Sequence, residues 1–260
     1  MTTLVSDRPA PGVLRLRLDG EDTLNALDEG AKDQLLHALA CVSSDNTTRV
    51  VMLTGTGRAF CAGGDVRAMG ERTAVETVQV LAKGRQITER IVALNKPVVA
   101  AVNGIASGAG FNLALACDVV LAHRSAWFQQ SFVRLGLIPD MGGTYFLAQQ
   151  VGLYRAKEIL LSARRIRSEE ALELGFVSHV YGDDFAEQCL AYCADLARGA
   201  TQALAVTKLL TNRAVEGSLQ AALDKESLGQ AVVATTHDHR AAVSAFREKR
   251  PLDSVNFIGE

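Results

Sequence analysis

Residues 13–19, VLRLRLD, alternate apolar side chains with arginines, the two-residue period of a strand with one face buried. Over residues 29–43 the spacing changes, and Ala31, Leu35, Leu39 and Val42 recur at helical intervals. Residues 50–54 are a short apolar run followed by Gly55, Gly57 and Gly63-Gly64, which predicts a buried strand running into a loop. Residues 73–94 predict a helix with Val75, Val78, Leu81, Ile87 and Ile91 on its apolar positions, and residues 98–102 and 119–122 predict two more buried strands. Ser168, followed by Glu169 and Glu170 and stopped at Gly175, carries the signals of a short capped helix. From Thr201 the strand-like runs cease, and Ala/Leu-rich helical periodicity continues through Arg250. Strands alternating with helices predict an α/β core over residues 1–200, and the changed texture predicts a helical region over 201–260. So short a helical region buries little alone, so it is expected to pack on the core or on a neighbouring subunit.

Composition narrows the function classes. The 260 residues are 48% hydrophobic and 22% charged, enough apolar material for a real core. Lys and Arg number 27 against 29 Asp and Glu, for a net charge of −2, and 5% of residues are aromatic. Nucleic-acid binding needs concentrated positive charge or a stacking surface, and neither is present. Five cysteines without a CxxC pair, and no secretory signal at the start, point to a reduced, cytoplasmic setting. Residues 97–117 carry no formal charge, but Asn103, Ser107, Asn112 and the glycines 104, 108 and 110 suit a strand, turn and helix better than a membrane span.

Two loops are suited to an anion. Phe60-Cys61-Ala62-Gly63-Gly64-Asp65 follows one buried strand, and Asn103 to Gly110 follows another and opens a helix. Glycines let backbone amides approach a ligand, and amides at a helix start point outward unpaired. Two such loops could aim two N–H groups at one oxygen, as an oxyanion hole requires; either loop taken alone reads more simply as an ordinary tight turn. Gly104, Gly108 and Gly110 do not fit GxGxxG, and there is no GxxxxGK[ST], so NAD and ATP sites are not expected. In Leu135 to Thr144, Asp140 is a lone carboxylate among apolar residues before another possible helix: desolvation would raise its pKa and a helix N-terminus would lower it, or it is simply the N-cap of that helix. The five histidines are scattered, so no metal site is expected, and Cys61 has no partner base nearby.

Taken in order, Asn25-Ala26-Leu27, Phe60 to Asp65, Lys96 to Gly104, Gly108-Ala109-Gly110, Cys117-Asp118 and Gly136 to Gly143 resemble the enoyl-CoA hydratase/isomerase (crotonase) superfamily from about Val13 onward. The resemblance implies a spiral of ββα units with a C-terminal helical trimerisation region, giving a homotrimer or a hexamer of paired trimers. It implies acyl-CoA thioester substrates, with coenzyme A part of the substrate and no separate cofactor. The oxyanion amides fall on Gly64 and Ala109. Asn25, Ala26, Leu27 and Arg67 would line the nucleotide and pantetheine path, and Ala62, Gly63, Asp65 and Val66 would also bind the substrate. Phe246 and Lys249 would reach a neighbour's CoA, although a solvated basic helix end reads equally well there.

Two departures stand out. Hydratases of this family carry two catalytic glutamates where this chain has Asn112 and Phe132. Neither residue can exchange a proton in the working range, so the two-glutamate route to water addition is expected to be disabled. Asp140 coincides with the base of some isomerase members, including those resembling ring-1,2-epoxyphenylacetyl-CoA isomerase. It also coincides with the nucleophile of 4-chlorobenzoyl-CoA dehalogenase, whose aromatic and histidine partners have no counterpart in Ala82-Lys83-Gly84-Arg85-Gln86. The expectation is a double-bond isomerase with Asp140 as its one base and Phe111, Phe132, Leu137 and Met141 keeping the pocket dry. Atypical hydratase and inert acyl-CoA binder are the rivals. Residues 68–80 are expected to shape the acyl pocket.

Overall fold

The computed structural model describes residues 1–68 and 70–260. Its first strands, β1 (Thr3–Ala10) and β2 (Val13–Asp19), form an antiparallel hairpin. α1 (Glu29–Ser44) follows, capped by the Asp28 carboxylate, which accepts the Ala31 N–H. Three successive units then each supply a long strand, a short strand and a helix. They are β3 (Val50–Gly55), β4 (Ala59–Cys61) and α2 (Ala74–Ala93); β5 (Val98–Val102), β6 (Ile105–Ser107) and α3 (Ala109–Leu115); and β7 (Val119–His123), β8 (Trp127–Gln129) and α4 (Gly143–Val151). The core continues through α5 (Leu153–Ser162), β9 (Arg165–Arg167), α6 (Ser168–Leu174), β10 (His179–Tyr181) and α7 (Phe185–Arg198). Beyond it lie α8 (Thr201–Ala214), α9 (Leu219–Val233) and α10 (His237–Arg247).

Among the described residues the long strands and the three-residue β10 form one sheet in the order β1-β2-β3-β5-β7-β10, parallel from β2 onward. The short strands form a second sheet, β4-β6-β8-β9, with only β9 antiparallel. This is the expected α/β spiral of ββα units. Parallel strands covered on both faces read as unbroken apolar runs, and β3 and β5 show why. Val51, Leu53, Val98, Ala100 and Val102 enter the main core, whereas Val50, Met52, Val99 and Ala101 enter a second core roofed by Phe185, Cys189, Cys193 and Ala197 of α7.

Several local expectations are corrected. α2 buries Gly84, Ile87 and Ile91, but Val75, Val78 and Leu81 are exposed, because no element among the described residues covers its first half. α6 forms, yet Ser168 does not cap it: Arg167 holds the cap position and the Ser168 hydroxyl donates instead to the Arg124 carbonyl at 2.8 Å. Strands β4, β6 and β8, three residues each, are too short to show a period and fall inside segments read as loops or left unassigned. The stretch 68–80 expected to shape the acyl pocket includes Met69, which lies outside the described residues.

The C-terminal helices are fastened to the core by polar seams. Lys208 of α8 donates to the Ile91 and Lys96 carbonyls (2.7 and 3.0 Å) and pairs with Asp118 at 2.8 Å. Asp238 of α10 accepts the Ile258 and Gly259 N–H groups, and Arg49 reaches the carbonyls of Gly199 and Phe257. No helix among the described residues is long and apolar enough to cross a membrane.

Candidate functional site

Neighbouring parallel strands lie about 4.8 Å apart, so the segments leaving their ends emerge side by side. β4 pairs with β6 through Cys61↔Ala106, and β6 with β8 through Ser107↔Gln129. Three chain segments therefore converge: residues 62–67, Gly108-Ala109, and residues 131–142.

The first two touch through bare backbone. A methyl group on Gly63 (φ +102°) would stand 2.8 Å from the Ser107 carbonyl oxygen and 3.3 Å from the Ala109 nitrogen. Ala109 opens α3, so its N–H has no acceptor within the helix. Among the described residues, neither this N–H nor that of Gly64 donates a hydrogen bond. The two amides expected from sequence are thus brought to adjoining loops and left available. A Cβ on Gly110 would collide with the Cys61 carbonyl. Gly110→Ala is accordingly expected to separate the loops, lowering stability by about 1–3 kcal/mol and activity with it, as urea melts and initial rates would show.

The segment 24–27 scaffolds this cradle. Leu27 N–H donates to the Gly63 carbonyl at 2.7 Å, and Ala62 N–H to the Leu24 carbonyl at 2.9 Å. Asn25, expected on the substrate path, is fully buried with its side chain spent: it accepts the Gly20 N–H and donates to the Thr56 and Ala59 carbonyls. Its amide holds a turn in which Leu24 and Asn25 both have positive φ, so its function is support. Ala26 and Leu27 are likewise buried. Arg67 pairs with Asp65 at 2.8 Å, holding that carboxyl down to about 2, and Val66 is exposed beside them. Cys61 is buried and pushed up to about 12, an inert thiol.

Asp140 does not cap α4. That helix starts after Gly142, and it is the Asp140 main-chain carbonyl that accepts the Gly143 N–H, at 2.9 Å. Its carboxylate Oδ1 is buried without a hydrogen-bond partner. Burial pushes this carboxyl above its ordinary range, against the opposing pull of the Asn112 amide and of Lys32.

Phe132 lies over the second loop, its ring 3.8 Å from where a Gly108 side chain would begin. Met141 is buried with its side chain against Gly84, and Leu137 is 43% exposed at the rim. Phe111 is corrected: it is fully buried and tilted against Phe128 and Phe176, at centroid distances of 5.1 and 5.2 Å. One residue is about 100° of helix turn, so with Asn112 directed at Asp140, Phe111 points into the core. Phe246 (74% exposed) and Lys249 lie at the end of α10, and neither shares a hydrogen bond with these loops. Gln130, Thr88 and the Ser107–Ser131 hydroxyl pair (3.1 Å) were not legible as site residues. The one available signal was the second polar residue of Gln129-Gln130, which follows a strand too short to be recognised. No group of three or more His, Cys, Asp or Glu among the described residues could hold a metal.

Known proteins match this chain along most of its length. The family model described as Enoyl-CoA hydratase/isomerase matches residues 9–254. The chain is 40% identical over 242 residues to a "Probable enoyl-CoA hydratase" of Rhodobacter capsulatus, covering 92% of this chain and 93% of that one. It is 37% identical over 257 residues to the 1,2-epoxyphenylacetyl-CoA isomerase of Escherichia coli, covering 96% of each. The crystal structure of an enoyl-CoA hydratase from Bacillus anthracis superposes with a TM-score of 0.94 at 32% identity, covering 99% of both chains.

Proposed function

Because the chain belongs to the enoyl-CoA hydratase/isomerase family, we propose that within it this enzyme moves a double bond, converting a 3-enoyl-CoA to the 2-enoyl form through a thioester enolate. The observation that carries the reading is the buried Asp140 Oδ1 that no donor reaches, in a site where the other two candidate positions hold Asn112 and Phe132. Asp140 takes the proton from C2, and the C2–H electron pair flows to the thioester oxygen. The Gly64 and Ala109 N–H groups receive that charge, and losing one such donor costs about 2.7–4 kcal/mol of transition-state stabilisation. As the enolate collapses, the C2–C3 double bond forms and Asp140 returns the proton to C4. Phe132, Leu137 and Met141 exclude the water that addition would need.

Coenzyme A enters as part of the substrate rather than as a resident cofactor. Ala62, Asp65, Val66 and Arg67 form the rim along which its pantetheine and nucleotide lie, with Phe246 and Lys249 offered to a neighbouring copy's ligand. α9 buries none of its residues and exposes Leu219, Leu223, Leu228 and Val232, which suits contact with sister chains in a trimer or a pair of trimers.

Asp140 acts as a base only when ionised, and its carboxyl is raised by burial. The rate is therefore expected to rise with pH along a limb displaced above the ordinary Asp value of about 3.9; a limb at or below that value would remove Asp140 as the base.

Water addition is the second reading, favoured by the name of the Rhodobacter relative. Incubation with 2-enoyl-CoA and 3-enoyl-CoA in deuterated water separates the two. Bond migration with deuterium entry supports the isomerase, and a 3-hydroxyacyl product supports the hydratase. Both esters recovered unchanged would mark an inert binder.

A further inference from the structure

Resting on the reading of Asp140 as the base, we propose that Asn112, backed by Gln130, is a positioning residue that fixes the aim of the Asp140 carboxylate. Asn112 is 0% exposed and Gln130 1% exposed. Asn112 Nδ2 donates to the Asp140 main-chain carbonyl at 3.0 Å, and Gln130 Nε2 donates to Asn112 Oδ1 at 2.7 Å. The same Asp140 carbonyl accepts the Gly143 N–H, so two donors from two helices pin one peptide plane. The next residue, Met141, is held at φ +45°, followed by Gly142 at φ +81°. Thr88 of α2 donates its hydroxyl to the Met141 carbonyl at 3.1 Å, closing the turn from the other side.

These bonds fix the backbone that leaves Asp140, through the Asp140 and Met141 carbonyls, while leaving Oδ1 without a donor. The carboxylate is thereby aimed with one oxygen left open, and the downward pull of the Asn112 amide on its proton affinity is outweighed by burial. Asn112 is also tightly housed: a Cβ on Gly143 would collide with its side chain. The position that resembles a hydratase acid is thus occupied by a neutral brace.

The charged groups on the elements packed here are few. α1 presents Lys32, paired with Glu29 at 2.8 Å. α2 presents Lys83, paired with Glu29 and Asp33. α3 carries no ionisable side chain apart from its buried neighbour Cys117, and α4 carries only Tyr145, whose hydroxyl faces Glu216.

The test compares the pH profile of kcat, the KM, and the Asp140 resonance in protein labelled with carboxyl-13C aspartate, assigned with Asp140→Asn, for wild type, Asn112→Asp and Asn112→Leu. A neutral carboxyl at 112 can donate to the Asp140 carbonyl as the amide does. Asn112→Asp is therefore expected to keep near-wild-type kcat at acid pH. On ionising, it loses its proton donor and places a negative charge beside Asp140, so the profile gains a descending limb and Asp140 titrates higher. Asn112→Leu is expected to lose up to about 10²-fold in kcat at every pH with little change in KM, the scale of a small misplacement of a reacting group. A profile of unchanged shape with an unshifted Asp140 resonance in Asn112→Asp, or wild-type kcat in Asn112→Leu, overturns the proposal. If wild type moves no double bond, the isomerase reading fails by itself, while the Asp140 titration still decides whether residue 112 is coupled to it.

Discussion

Asp140→Asn is expected to lower kcat for double-bond migration by about 10²–10⁴-fold, the range a positioned general base supplies. Asparagine matches aspartate in size, so the turn held by Asn112, Gly143 and Thr88 survives and the pocket keeps its shape. The dissociation constant for a saturated acyl-CoA, read by calorimetry, should change little, because in the proposed mechanism the thioester oxygen is held by the amides of Gly64 and Ala109 and not by this carboxylate. The substitution also relieves the cost of a buried ionisable group whose pKa is raised, so the variant should melt no lower than wild type at neutral pH. Loss of binding together with activity would mean that Asp140 builds the site rather than working in it.

Lys208→Met is expected to destabilise the chain by about 3–5 kcal/mol, the effect of stranding one partner of a buried ion pair. The Lys208 side chain is 5% exposed and that of Asp118 18%. Removing the amine leaves Asp118 with the Val98 N–H as its remaining donor and frees two carbonyls of their partner. Burial already raises the Asp118 carboxyl despite Lys208, and the variant raises it further. The folded chain then takes up a proton at a higher pH than the unfolded chain, so acidification favours the folded variant. The deficit measured by urea melts should be largest at neutral pH and shrink as pH falls through the raised Asp118 value. Adding Asp118→Asn should recover part of it. A deficit that does not vary with pH would show that Lys208 acts through packing alone.

How far the sequence was legible differs between backbone and side chains. The runs at 50–54 and 98–102 announced β3 and β5 because burial on both faces leaves no polar positions. The glycines around 63 and 108 announced loops that approach each other, and Asp140 stood out as a carboxylate among apolar neighbours. Other residues depended on partners distant in the chain. Asn25 looked like a ligand-facing amide, but its acceptors lie more than thirty residues away at Thr56 and Ala59. Phe111 and Asn112 are adjacent, and only the orientation of α3 decides which of them faces Asp140. Val75, Val78 and Leu81 have correct helical spacing, yet spacing reports which residues share a face and not whether anything covers it.

The three short strands give the site a division of labour. In the proposed mechanism the turns after β4 and β6 hold the anion with main-chain groups, which no side-chain replacement can delete, whereas the turn after β8 carries the proton on a single side chain. A lineage built on this plan can therefore trade its proton carrier, or lose it, while inheriting the anion cradle intact, and new reactions of thioester enolates become reachable by editing one turn.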